Sequence, residues 1–195
     1  MPDPFPFATY SFVMAITPGP NNVMLTASGA SFGFRRTLPT MLGMWTGHTS
    51  MTVAIALGLG VVFQRWPLLH DTLRWAGASY LLYLAWRLLG ARGSAAGSAV
   101  RPISFLEGAL FQLVNPKAWV MSLTTAALFL PADWPLAAGC LYLVLMSLLV
   151  NLPCIAVWAA FGSSLRQCLE VPSRRTLFNA TMAAALVGTG VLMVR

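Results

Sequence analysis

Residues 16–22 read Ile-Thr-Pro-Gly-Pro-Asn-Asn, and they stand inside an apolar stretch that runs from Phe7 to Phe32. Proline lacks an N–H and clashes with the turn before it, so Thr17-Pro18-Gly19-Pro20 interrupts any helix through this stretch. Lipid offers nothing to pair with the backbone groups so freed. An interruption at this depth must face protein or a water-filled cavity.

That the stretch lies in lipid follows from composition. Of 195 residues, 57% are hydrophobic and 9% charged, against about 25% charged in a soluble domain. Blocks near the roughly 20 residues that cross a bilayer lie at Phe7–Phe32, Leu38–Phe63, Thr72–Leu89, Phe105–Leu130, Leu136–Phe161 and Leu177–Val194. The start, MPDPFPF, has no basic segment or small-residue cleavage site, so the first block is expected to remain in place.

The net charge of +7 is organised by side. Arg35, Arg36, Arg87, Arg92, Arg101, Arg166, Arg174 and Arg175 fall in or beside the links after blocks one, three and five. Arg65, Arg74, Arg195, Asp3, Asp71 and Asp133 fall on the other side. The positive-inside rule makes the arginine-rich side cytoplasmic, with both termini outside the cytoplasmic membrane of a bacterial-type cell. The surplus is thus a topology signal with a weak pull on anionic lipid, and a nucleic-acid partner is not expected. Cys140, Cys154 and Cys168 form no Cys-x-x-Cys pair. On one helix Cys140 and Cys154 would stand about 21 Å apart, too far to bridge, so they read as buried small hydrophobes or inert thiols.

The link Gly90–Ser104, GARGSAAGSAVRPIS, divides the blocks three and three. An odd number per half means that the second half enters from the opposite side. The second half also breaks where the first does. Asn115-Pro116-Lys117 comes about eleven residues after Phe105, as Pro18 does after Phe7, or about 16 Å of helix in each case. The expectation is an all-α integral membrane protein with six transmembrane helices in two inverted three-helix repeats, spans 1 and 4 broken at proline motifs. It is one transporter domain over residues 1–195, with repeat 1 at about 5–90, link 91–104 and repeat 2 at about 105–195.

After each break a helix restarts, with Pro20 pre-set for a first turn and Asn115 able to cap. Each restarted half-helix turns free N–H groups and a positive dipole end toward the midplane. Such a centre suits a carboxylate, and the carbonyls ending the first half-helices suit an ammonium. The candidate substrate-binding residues are Thr17, Pro18, Gly19, Pro20, Asn21, Asn22, Gln112, Asn115, Pro116, Lys117 and Asn151. Lys117 lies near midspan, where snorkelling accounts for it poorly, so a cavity or a partner is the expected surrounding. Asn151, in Val150-Asn-Leu-Pro153, marks a third interruption: its amide either lines the cavity or satisfies the carbonyl that Pro153 frees. Glu107 either accepts an ammonium or proton at the inner mouth or merely sits at the interface. His48 is a proton relay or a hydrogen-bonded interior residue, and Gly43 and Gly47 beside it let two helices approach closely. Tyr80, Tyr83 and Trp86 read as interface anchors.

The run Thr17-Pro-Gly-Pro-Asn-Asn22, with Gly33-Phe-Arg-Arg36, Gly43 and Gly47, resembles the opening of the lysine-exporter superfamily in its homoserine/threonine-exporter branch. Gly77-Ala-Ser-Tyr-Leu-Leu-Tyr-Leu-Ala-Trp86, Arg101-Pro-Ile-Ser-Phe105 and Phe111-Gln-Leu-Val-Asn-Pro-Lys117 resemble its third and fourth spans. The likeness covers residues 5 to 130 well and the rest by hydropathy. It implies an exporter of small neutral amino acids or derivatives, of the homoserine, threonine, cysteine or O-acetylserine type, driven by proton antiport. Many relatives carry Asp where this chain has Asn21, which cannot titrate, so proton coupling would fall to Glu107, His48, water or the substrate. The superfamily also admits metal or inorganic-ion exporters, but no cluster of Cys, His, Asp or Glu lies within the spans. An intramembrane enzyme would need an acid–base or nucleophilic set that the spans lack. No cofactor or metal is expected. The partners are the amino-acid substrate and the bilayer, and a homodimer stays open.

Overall fold

In a computed structural model, which describes residues 3–59, 67–90 and 101–194, each apolar block is helical and no strand occurs among the described residues. The first block is two helices, α1 (Pro4–Ile16) and α2 (Pro20–Phe32). The second is α3 (Phe34–Ala54), extended by a π-helical turn over Ile55–Leu59 that ends around Gly58 at φ 106°. Helix α4 spans Pro67–Gly90. The fourth block is again two helices, α5 (Phe105–Val114) and α6 (Pro116–Phe129). Helices α7 (Leu136–Ser164) and α8 (Pro172–Val194) complete the chain, with a 3-10 turn at Cys168–Glu170 between them. Residues 60–63 of the second block, most of the link (residues 91–100), Arg65, Arg92 and Arg195 lie outside the described residues.

Among the described residues, α7 alone is long and apolar enough to cross a membrane by itself. The reason lies partly in the breaks: α1 and α5 are apolar but only 13 and 10 residues long, because each is a fragment of a longer block.

The third interruption does not form. Helix α7 runs unbroken from Leu136 to Ser164 with Pro153 inside it. Pro153 sits on an exposed face, where the missing N–H bends a helix without ending it. The Asn151 amide does not serve the freed carbonyl either; its Nδ2 donates to Ser147 Oγ at 3.1 Å.

The most extensive helix contacts are α2 with α7, α3 with α5, and α4 with α8. The first two depend on glycine. A Cβ on Gly43 would lie 2.0 Å from the Phe105 carbonyl oxygen, and one on Gly47 2.4 Å from that of Ala109. Between α2 and α7, a Cβ on Gly29 would meet the Ala159 carbonyl oxygen at 2.3 Å, and one on Gly162 that of Thr26 at 2.1 Å. Backbones therefore touch directly, and no larger residue fits. Around them Met24, Leu25, Met44, Leu81, Phe111 and Leu186 form the buried core. Outward, Phe5, Leu68, Trp86, Leu128, Leu149 and Leu192 are largely exposed, the surface that a lipid-facing protein presents.

Candidate functional site

Both breaks follow from the rule that a residue before proline avoids the helical region. Thr17, before Pro18, has ψ 134°, and Asn115, before Pro116, has ψ 107°. Gly19, before Pro20, is also fully extended. Its φ of −169° suits any residue, so the need for glycine is one of space. A Cβ there would lie 3.0 Å from Lys117 Cδ and 3.3 Å from Lys117 Nζ.

The two breaks are wired to each other. Asn21 Nδ2 donates to Gln112 Oε1 at 2.9 Å, and Gln112 Nε2 returns a bond to Asn21 Oδ1 at 3.1 Å. Asn115 Nδ2 adds a second donor to Asn21 Oδ1 at 3.2 Å. Lys117 Nζ reaches across to the Thr17 carbonyl at 2.6 Å, placing its cation at the negative end of α1. Asn22 Nδ2 donates to the carbonyls of Ala15 and Thr17 at 3.0 and 2.8 Å. The carbonyls freed at the end of α1 are thus met by one amide and one ammonium.

The restarted helices end differently. Helix α6 is capped by its own chain, since Asn115 Oδ1 accepts from the Lys117 N–H at 3.1 Å. Helix α2 has glycine at its N-cap and no side-chain cap, so its first-turn N–H groups stay available to a ligand.

Gly19, Pro20, Asn21, Asn22, Asn115, Lys117, His48 and Asn151 line one cavity of about 50 Å³. It holds roughly three to five water-sized groups by the volume each one needs. Gln112 is fully buried behind Asn21. Thr17 and Pro18 are exposed at the break, and neither they nor Pro116 line the cavity. Among the described residues, His48 and Lys117 are the ionisable groups in its wall. With Lys117 and the open end of α2 in that wall, the cavity favours an anion.

Glu107 lies apart. It closes a capping box with Ser104 at the start of α5 and takes both guanidinium nitrogens of Arg101, at 2.7 and 2.9 Å. The same bond raises the pKa of Arg101. Arg87 donates to the Arg101 carbonyl and lies over the Tyr83 ring.

The wall also includes Met14, Met44, Trp45, Met121 and Ile155, which the sequence reading did not single out. Apolar residues inside apolar helices carry no signal of their own. The one clue was the closeness of Met44 and Trp45 to Gly43 and His48. A second cavity of about 10 Å³ shares His48 and Asn151 with the first and is lined by Thr49, Thr52, Thr125 and Ser147 among others.

The family model for the LysE type translocator matches residues 12–195. A protein of Klebsiella pneumoniae called cysteine/O-acetylserine efflux protein is 31% identical over 96% of this chain and 95% of its own. Its counterpart of the same name in Escherichia coli K12 is 33% identical over 63% of each chain. No solved structure matches.

Proposed function

The chain belongs to the LysE type translocator family, and from that premise we propose that it exports small neutral amino acids or their derivatives across the cytoplasmic membrane, with cysteine- or O-acetylserine-like compounds as the substrate class. The observation that carries the reading is the meeting of two proline breaks, 94 residues apart at Asn21 and Asn115, on one small cavity with an ammonium across it. Six spans in two inverted repeats would bring breaks from opposite sides to a shared midplane site. On this reading both termini lie outside.

The substrate's carboxylate goes to the uncapped first turn of α2, at Gly19 to Asn22, with Lys117 turning to it from the Thr17 carbonyl. The ammonium takes the carbonyls ending α1 that Lys117 and Asn22 otherwise occupy. Thr17, Pro18 and Pro20 set that geometry. Gln112, Asn115 and Pro116 hold the second break against the first, and Asn151 completes the wall. Proton antiport needs a titrating group. His48, in the cavity wall, is placed for it; Glu107, fixed to Arg101, is not.

The test loads cells or proteoliposomes with labelled amino acids and compares efflux with and without the protein. Lys117→Ala should slow efflux of the favoured amino acid about tenfold or more, the loss expected for a hydrogen bond to a charged group. Asn22→Ala should also slow it, and both variants should insert in the membrane at normal levels. Unchanged efflux in both sinks the assignment of the site.

A further inference from the structure

Besides the open first turn of α2, the cavity's unpartnered buried side-chain atoms lie on one wall. Asn21, Asn22, Gln112 and Asn115 bond one another or backbone carbonyls. On α3 and α7, by contrast, His48 Nε2 and Asn151 Oδ1 have no partner among the described residues, although His48 is 9% and Asn151 6% exposed. A buried polar atom without a partner costs about 1–3 kcal/mol. Two on one cavity wall are a place prepared for a ligand group.

The chemistry of the pair selects the group. Asn151 Nδ2 donates to Ser147, and Oδ1, an amide oxygen, can only accept. His48 Nε2 donates in the tautomer that protonates it. A hydroxyl or thiol gives one hydrogen and takes another, so it satisfies both atoms. A methyl satisfies neither. An ammonium has no lone pair for His48 and finds acceptors in the carbonyls that end α1, beside the open turn of α2.

What lies past this pair limits length. Three hydroxyls of the second cavity are already engaged: Thr49 with Ser147 at 3.0 Å, and Thr52 with Ser122 at 2.8 Å. Trp45 Nε1 donates to the same Ser147 at 3.1 Å. At about 10 Å³ that cavity has room for one water at most. Met14, Met44 and Met121 supply part of the apolar wall of the first cavity, with Trp45 and Ile155, and methionine adapts to a short carbon or sulfur chain.

We infer that His48 and Asn151 form a side-chain subsite that selects amino acids whose short side chain ends in a hydroxyl or thiol, the cysteine-like part of the proposed class rather than its O-acetyl esters. The inference rests on the cavity being the substrate site, as proposed above.

The experiment reconstitutes the full chain in proteoliposomes and measures efflux of labelled serine, cysteine and 2-aminobutyrate, the last being their near-isostere without a polar end. The wild type should favour serine or cysteine over 2-aminobutyrate by at least about tenfold, since a site that hydrogen-bonds a substrate hydroxyl rejects the analogue lacking it. Asn151→Leu and His48→Leu should bring that ratio to about one, whatever their absolute rates. His48→Gln, which keeps a donor, should restore part of the preference. A wild type with no preference overturns the subsite, as do variants that slow all three substrates in proportion or leave the ratio unchanged. Where a variant does not reconstitute, thermal unfolding of the wild type decides: stabilisation by serine but not by 2-aminobutyrate supports the subsite, and equal effects overturn it. A wild type that moves no amino acid overturns the transport reading instead.

Discussion

At Gly19 the difference of one methyl group is large. Its Cβ would press on Lys117 Cδ and Nζ, the far end of a flexible side chain. Gly19→Ala should therefore leave the fold intact and push the ammonium off the Thr17 carbonyl. Reconstituted efflux should fall with little change in melting temperature; a large loss of melting temperature would show that the residue serves packing instead. Asn21→Asp is the complementary change. Asn21 Oδ1 already accepts from Gln112 and Asn115, so a carboxylate keeps both bonds and loses only the donation to Gln112 Oε1. That variant should remain active, and its efflux should gain a second pH-dependent step, in the carboxylate range and beyond the one His48 gives the wild type, read by measuring rates across a pH series. The breaks themselves were legible in the sequence, because a residue before proline has few conformations open to it. The Asn21–Gln112 pair was not legible as a pair. Amides at both breaks could be counted, but which one bonds which across 91 residues is set by how the helices pack.

Between helices, space overrides propensity. Replacing glycine by alanine inside a helix ordinarily gains about 1 kcal/mol. Gly43→Ala or Gly162→Ala would instead set a Cβ within 2.0 or 2.1 Å of a carbonyl oxygen on a neighbouring backbone, and overpacking of that kind costs about 1–3 kcal/mol or more. Gly188→Ala, with nothing within 4 Å, should be neutral or stabilising. Thermal unfolding in detergent should rank the three in that order, and equal shifts would refute close packing at the glycine contacts. Gly43 and Gly47 were readable as a small-residue pattern, although their partner helix was not. Pro153 misled for a related reason. The sequence shows a proline in an apolar block, but whether the helix ends there depends on what braces it, and α7 packs against α1, α2 and α3.

For the whole molecule, the side-by-side charge pattern makes a topology testable with the protein's own thiols. Cys140 and Cys154 are buried and Cys168 is exposed, close in sequence to Arg166, Arg174 and Arg175 on the arginine-rich side. An impermeant maleimide added outside intact cells should leave the wild type unlabelled and should label Asp133→Cys. Labelling of Cys168 from outside would invert the topology. Composition and hydropathy made the helical membrane class legible. They could not place the cavity, whose Met and Trp wall looks like any other apolar surface.

The two ends of this molecule are packed with different materials. Toward the arginine-rich side, α2 meets α7 and α3 meets α5 backbone to backbone at glycines. Toward the Asp3 and Asp133 side the packing is aromatic: the Phe7 ring stands 5.3 Å from Phe129 and 6.2 Å from Tyr142, and Tyr10 stands 5.5 Å from Phe129. A ring can move by a change of its own side-chain torsions, whereas backbones in contact part only when whole helices shift, over microseconds to milliseconds. The slow step of a turnover cycle is therefore expected at the glycine end. Mutations there should change the maximal rate, while mutations of the aromatic plug should change leakage.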